Sequence, residues 1–178
     1  MLLNLETPQL LLRPFTLNDT SIIFSLSQET GMKQWIPDQV YQDLQQTTDI
    51  LKYLISQYHK RPNPAVAPIV FAIVLKKSNL VIGHVGLSPY KDSIEIGYAI
   101  GEKHCGKGYA SQAVLAYSNW ALDELEISKI WGIVVSQNQA SRRVLEKVGF
   151  IFLNEKKQMY HGKFQPCCTY YLTNSLAS

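Results

Sequence analysis

One segment, GEKHCGKGYASQAV from Gly101 to Val114, limits what this chain can fold into more than any other. The apolar run Ile94 to Ile100 leads into it, and Ala110, Ala113, Val114, Tyr117, Ala121 and Leu125 follow at helical spacing. A strand must therefore end and a helix begin across Gly106 and Gly108. Glycine lets the backbone curl without a Cβ penalty, and the first turn of a helix leaves its N–H groups without intrahelical acceptors. Together these features make an anion site, although a bare glycine turn satisfies the same spacing. Gly101, Gly106 and Lys107 also approach the nucleotide loop GxxxxGK[ST]. Gly108 stands where that loop needs a hydroxyl for magnesium, and the strand before it belongs to a meander, so both features count against nucleotide hydrolysis.

Around this segment the chain divides into short alternating elements. A first strand is expected over 9–16, and Asn18 or Asp19 caps a short helix to about Glu29, where Gly31 stops it. A loop with Trp35 and Pro37 precedes a helix over 43–59, which carries Ile50, Leu51, Leu54, Ile55 and Tyr58 on one stripe. Pro62 and Pro64 end it. Strands over 69–75, 80–87 and 94–100 then form an antiparallel meander. The helix 109–125, a buried strand 130–135, the helix 139–148 with Gly149 after its end, and strands 150–160 and 164–172 complete the chain. Long connections in the second half suit parallel crossovers, so the sheet should be mixed.

The bulk properties narrow the function. The 178 residues, 46% hydrophobic, fill one core and leave no room for a second, so a single domain over 1–178 is expected. The opening MLLNLETPQLLLRP lacks the length and charge of a signal peptide, and the apolar runs are too short to span a bilayer. A cytoplasmic chain without membrane contact is the expectation. The net charge is +3, but aromatic residues do not interleave with basic runs, so no nucleic-acid partner is expected. Cys105, Cys167 and Cys168 build no disulfide framework, and with His59, His84, His104 and His161 they show no ligand spacing; no metal is expected. Acids Glu29, Asp38, Asp43 and Asp49 face only Lys33 over 28–49, whereas Lys and Arg exceed acids over 101–163.

A second motif, NQASRRVLEKVGF from Asn138 to Phe150, follows the buried strand. Asn138 suits a helix cap, and Arg142, Arg143 and Lys147 suit a solvated face. The order of the two motifs, with LETPQLLLRPFTLNDT at the start and IEIGYAIGEKHCGKGYASQAV in the middle, resembles the GNAT superfamily of N-acetyltransferases, and within it the RimJ/RimL-like group. The resemblance covers nearly the whole chain. It implies an α/β (α+β) fold, a mixed sheet of about seven strands flanked by about four helices and splayed between the fourth and fifth strands. It also implies acetyl-CoA as cofactor, with backbone amides of the loop residues Cys105, Gly106, Lys107, Gly108, Tyr109 and Ala110 holding its diphosphate, and with the strand ending near Ile100 splaying from the strand 130–135 to admit the pantetheine arm. Asn138 would meet the pantetheine arm, and Ser141 would lie near the sulfur. Cys105 departs from the Gln or Arg found in many relatives. Leu145 stands where many have the tyrosine that protonates the leaving thiolate, so that role does not transfer.

Acetyl transfer to an amine needs a base, support for an oxyanion, and a proton for the sulfur. Alternation along 94–100 puts Ile94, Ile96, Tyr98 and Ile100 on one face and Glu95 on the other, beside Gly97 and Ala99. Glu95 is the candidate base, and a solvent-facing strand glutamate is the other reading of the same pattern. A backbone N–H within Gly97 to Ile100 would meet the oxyanion. Ser141 is the candidate acid, or else a small residue that lets the cofactor approach. Cys105 has no evident His and carboxylate partners, which favours direct transfer over a covalent acetyl-enzyme. The expected acceptor is a peptide N-terminus or a small amine, bound near Trp35 and Tyr160; a non-catalytic acyl-CoA sensor is the alternative. An exposed last strand leaves room for a homodimer.

Overall fold

The computed structural model describes residues 4–174. Its strands and helices are β1 (Leu5–Glu6), β2 (Leu10–Pro14), α1 (Thr20–Ser27), α2 (Thr30–Trp35), α3 (Leu44–Gln57), β3 (Ile69–Leu75), β4 (Leu80–Tyr90), β5 (Ser93–Ile100), α4 (Tyr109–Glu124), β6 (Lys129–Val135), α5 (Gln139–Val148), β7 (Ile151–Tyr160) and β8 (Lys163–Thr173). The eight strands form one sheet in the order β1-β2-β3-β4-β5-β6-β8-β7. Every neighbouring pair is antiparallel except β5 with β6. The mixed α/β architecture agrees with the expectation, with eight strands where about seven were expected and five helices where about four were. The extra strand is two residues long, too short to show a period. The extra helix is α2: Gly31 sits inside it rather than ending α1, and its N–H donates to Glu102 Oε1 at 3.0 Å.

The strands of the sheet centre are buried on both faces, so their sequences are continuous apolar runs rather than alternations. Ile69, Phe71 and Ile73 of β3 join Leu10 and Leu12 under α4 and α5, while Ala72 and Val74 face α1 and α3 with Phe15, Ile23 and Leu51. Tyr117 of α4 is fully buried and donates to Ile69 O at 2.6 Å, which satisfies the one polar atom its burial strands. Leu145 of α5 is 1% exposed and lies where a Cβ on Gly132 of β6 would come within 2.7 Å of its Cδ1. That glycine lets α5 settle close to the sheet.

Two placements differ from the sequence reading. The last strand is not an edge: β8 lies between β6 and β7, and the edge at this end of the sheet is β7, whose Ile151, Phe152, Leu153 and Met159 are each at least half exposed. A homodimer through the last strand therefore loses its basis. The β6-α5-β7 connection passes over a vacant position that β8 fills on its return, an arrangement the order of elements along the chain does not reveal. Asp19 does not cap α1 with its side chain. It accepts from Thr16 N at 2.8 Å and from both Arg13 guanidinium nitrogens at 2.8 Å, tying the end of β2 to the turn before α1. Asp43 does cap α3, accepting from Gln46 N at 2.8 Å.

Among the described residues no helix is long and apolar enough to cross a membrane. The Asp19 pair generates a stability prediction. Burial works against its charge, but Arg13 and the Thr16 N–H outweigh it and hold the carboxyl below the ordinary aspartate range. A depressed acid contributes stability that is present above its unfolded pKa and lost as pH falls through the folded one. Asp19→Asn should cost about 3 kcal/mol near neutrality, because it strands the half-buried Arg13. Urea unfolding should show the difference from the parent shrinking below about pH 4.

Candidate active site

β5 and β6 share a single paired position, Glu95 with Trp131, whereas β5 pairs with β4 along its whole length. Beyond that position the two parallel strands part. The parting opens a cleft of ≈ 870 Å³ bordered by β5, β6, the start of α4, α5, α2 and the β7–β8 turn.

One end of the cleft is the glycine loop. Gly106 and Gly108 hold φ of +74° and +79°, values that strain any residue with a Cβ, and a Cβ at either would meet nothing within 4 Å. The first intrahelical bond of α4 runs from Gln112 N to Gly108 O at 3.1 Å, so the N–H groups of Tyr109, Ala110 and Ser111 precede it and have no acceptor in the helix. A helix start with open space in front suits an anion, and Arg143 and Lys147 of α5 also line the cleft. Ile100, Cys105, Gly106, Gly108, Tyr109, Ala110 and Asn138 all line it. Lys107 does not; its ammonium donates to Lys103 O at 3.0 Å, bracing the loop from behind. The Cys105 thiol is turned to the carbonyls of Ile100 and Gly101, at 3.4 and 3.6 Å, and burial raises its pKa, with Glu29 and Glu102 adding to the rise.

Midway lies α5. Asn138 caps it, accepting from Ser141 N at 3.1 Å. The Ser141 hydroxyl is 2.7 Å from the Tyr98 hydroxyl, which also reaches Ser141 O at 3.0 Å. Tyr98 thus bridges β5 and α5 across the cleft floor, a contact the sequence reading missed because alternation marked Tyr98 only as a core residue. Burial drives its pKa well up, so it stays a neutral donor. Leu145 is core, as its contact with Gly132 requires, and carries no proton chemistry.

At the far end Glu95 is half-buried rather than solvent-facing. The Tyr160 hydroxyl donates to its Oε1 at 2.5 Å. Burial pushes the Glu95 carboxyl up to about 7; Tyr160 and His161 pull it down and Asp38 pushes it further up. His161 Nδ1 meets Asp38 Oδ1 at 2.8 Å, joining the β7–β8 turn to the segment after α2 and holding the Asp38 carboxyl below its ordinary range. Trp35, Ile36, Tyr90 and Met159 complete this end. The cleft therefore has an N–H-rich end, bordered by Arg143 and Lys147 and also by Glu29 and Glu102, and an apolar end with a carboxyl whose pKa is pushed up to about 7. Among the described residues, no group of three or more His, Cys, Asp or Glu is placed to hold a metal.

Comparison with known proteins decides the family. The profile of the acetyltransferase (GNAT) domain matches residues 9–151, most of the chain. The chain belongs to the GNAT acetyltransferase family. As a member it is an acyltransferase. It is 25% identical over 149 residues to the uncharacterized N-acetyltransferase YnaD of Bacillus subtilis, covering 83% of this chain and 82% of that one. Its fold matches a GNAT-family acetyltransferase from Bacillus anthracis with a TM-score of 0.81 at 22% identity, over 96% and 98% of the two chains. It also matches RimL, a ribosomal L7/L12 alpha-N-protein acetyltransferase solved with coenzyme A, with a TM-score of 0.80 at 18% identity over 96% and 98%. The GNAT fold accounts for the parted strands and for the loop at one end of the cleft.

The raised Glu95 pKa generates a test that needs no substrate. Between the ordinary 4.5 and about 7 the folded chain holds a proton that the unfolded chain releases, so Glu95 lowers stability as pH rises through that interval. Glu95→Gln should melt above the parent at about pH 8, and the difference should fade below about pH 4.5. Scanning calorimetry across that range measures it.

Proposed function

We propose that this GNAT acyltransferase moves an acetyl group from acetyl-CoA directly to a primary amine, the acceptor being the N-terminus of a protein or peptide as in the RimJ/RimL-like group. One observation carries the reading: a single cleft joins a glycine-lined helix start to a half-buried carboxyl whose pKa burial pushes up to about 7. The residues present fit the cofactor, because Gly106 and Gly108 leave open space before a run of helix-start N–H groups. Main-chain donors from Gly106 to Ala110 would hold the diphosphate, the Cys105 N–H being spent on Glu102 O at 3.2 Å; the edge of β5 that β6 leaves unpaired, ending at Ile100, would take the extended arm, and Asn138 would border it. When bound, acetyl-CoA supplies a thioester carbonyl open to attack by an amine.

The chain's own groups supply the rest. Glu95 takes the proton that the amine must lose, and a carboxyl with a midpoint near 7 does so at neutral pH without holding the proton too tightly. An N–H between Gly97 and Ile100 meets the developing oxyanion. Ser141, held by Tyr98, gives a proton to the departing sulfur. Cys105 is left out, since its thiol is raised above its ordinary pKa and bonded to carbonyls, the reverse of an activated nucleophile. The protein N-terminus is favoured over a fully charged small amine because its pKa lies near 8, within reach of a base near 7, and because Trp35, Ile36 and Met159 offer an apolar seat for a first side chain.

The test is an acceptor screen read by thiol release, with peptides of different first residues beside polyamines and aminoglycosides. Peptides should turn over fastest. Glu95→Gln should lower kcat by about 10²- to 10⁴-fold and leave coenzyme A affinity unchanged. Gly108→Val should weaken coenzyme A about tenfold or more through backbone strain, measured by calorimetry. Ser141→Ala at an undiminished rate would hand the sulfur's proton to water, and a parent giving no heat with coenzyme A would end the proposal.

A further inference from the structure

Tyr160 stands at the point where β5 and β6 part. Its hydroxyl is 2.5 Å from Glu95 Oε1 on one strand and 3.0 Å from Ile133 O on the other. Trp131 is the β6 residue that pairs with Glu95, and by alternation Ile133, two positions on, presents its carbonyl to the same side. There β5 no longer pairs with β6, and the tyrosine from the hairpin donates to the Ile133 carbonyl.

A phenol carries one hydrogen, and here two acceptors compete for it. While Glu95 is ionised, the hydrogen belongs on the carboxylate, the stronger acceptor. Once Glu95 is protonated, its own O–H needs an acceptor, and the nearest oxygen is that of Tyr160. The tyrosine hydrogen then turns to Ile133 O. The arrangement thus offers a partner to whichever form Glu95 takes, a donor for the carboxylate and an acceptor for the carboxylic acid, and only the Ile133 carbonyl gives up the hydrogen while Glu95 is ionised; leaving the Glu95 group itself stranded would cost about 1–3 kcal/mol.

We propose that Tyr160 is the positioning residue that lets Glu95 change charge in place, donating to the carboxylate before a proton is taken and accepting from the carboxylic acid afterwards, with the Ile133 carbonyl receiving the tyrosine hydrogen. The inference rests on the reading of Glu95 as the base. One N–H bond of the amine breaks and one O–H bond of Glu95 forms; the tyrosine keeps its own hydrogen throughout, and the acquired proton leaves to water when the cleft empties. Burial and the carboxylate beside it raise the tyrosine well above its ordinary pKa, consistent with a group that redirects its hydrogen and does not release it. The ring is held for the task by Tyr90 and His161, at centroid distances of 6.3 and 4.0 Å. The other groups that act on Glu95 and Tyr160 are Asp38 and His161 at the cleft mouth and Cys167 of β8.

The experiment compares pH profiles of kcat/KM for the parent, Tyr160→Phe, Glu95→Gln and a protein carrying fluorotyrosine at position 160, with the Glu95 carboxyl followed by carbon NMR in each chain that keeps it. In Tyr160→Phe the acidic limb and the carboxyl midpoint should move up by about one pH unit, and kcat should fall about tenfold with KM for the acceptor unchanged. Fluorotyrosine, a stronger donor that opens no cavity, should move both down, and it decides the matter if Tyr160→Phe does not fold. A lower kcat with neither midpoint moved would make Tyr160 a structural support only and overturn the inference. If Glu95→Gln loses turnover while both Tyr160 proteins match the parent profile, the base stands and the inference fails. If Glu95→Gln keeps parent turnover, both fail together.

Discussion

β5 and β6 run parallel, touch at Glu95 and Trp131, and then separate. A sheet gains most from continuous pairing, and an interrupted ladder leaves main-chain donors and acceptors facing an opening. Here the opening is bordered by the glycine loop, by α5 and by the β7–β8 hairpin. Remove the parting, and the anion-suited helix start would have no channel to the carboxyl; the two ends of the cleft are joined because the ladder stops.

The parting is held open by contacts between elements far apart in the chain. Tyr98 reaches Ser141 across the floor, and Tyr160 reaches both Glu95 and Ile133 at the apex. Above the cleft, Glu29 Oε2 accepts from Glu102 N at 2.8 Å and Glu102 Oε1 accepts from Gly31 N, so α2 and the entry to the glycine loop are fastened to each other. His161 and Asp38 fasten the hairpin to the segment after α2. These braces explain how the apolar end of the cleft, built from Trp35, Tyr90 and Met159 on three separate elements, keeps one shape. The hairpin they hold over Glu95 raises its pKa by removing water that would stabilise the charge, and Tyr160 and His161 offset only part of that rise.

Much of this was legible in the residues. The element boundaries of β3 and α5 agree with the expected spans, because β-branched runs and a capped amphipathic helix are strong local signals. The apolar face of β5 agrees only in part: Ile96 is buried and Ile94, Tyr98 and Ile100 pack on the main core, but Tyr98 and Ile100 border the cleft as Glu95 does. Gly106 and Gly108 take the positive φ that their spacing implied. What escaped were β1, too short for a pattern, α2, hidden by a glycine that reads as a stop, and the place of β8, which depends on where a returning strand finds an unpaired edge. Lys107 was expected at the cleft and lies outside its lining, since loop curvature aims a side chain in ways composition does not encode.

Local chemistry, then, is what the sequence alone determined: strands from branched apolar runs, helices from period and caps, a curled loop from two glycines, and Leu145 in place of a hydroxyl. These depend on residues within a few positions of one another, where sterics and periodicity act directly. The tertiary structure decided which distant groups meet, including Tyr160 with Glu95 across 65 positions and Tyr98 with Ser141 across 43. It also decided the charge behaviour of Glu95, because a pKa depends on the water displaced and the dipoles gathered around a carboxyl, and both exist only after the chain has folded over it.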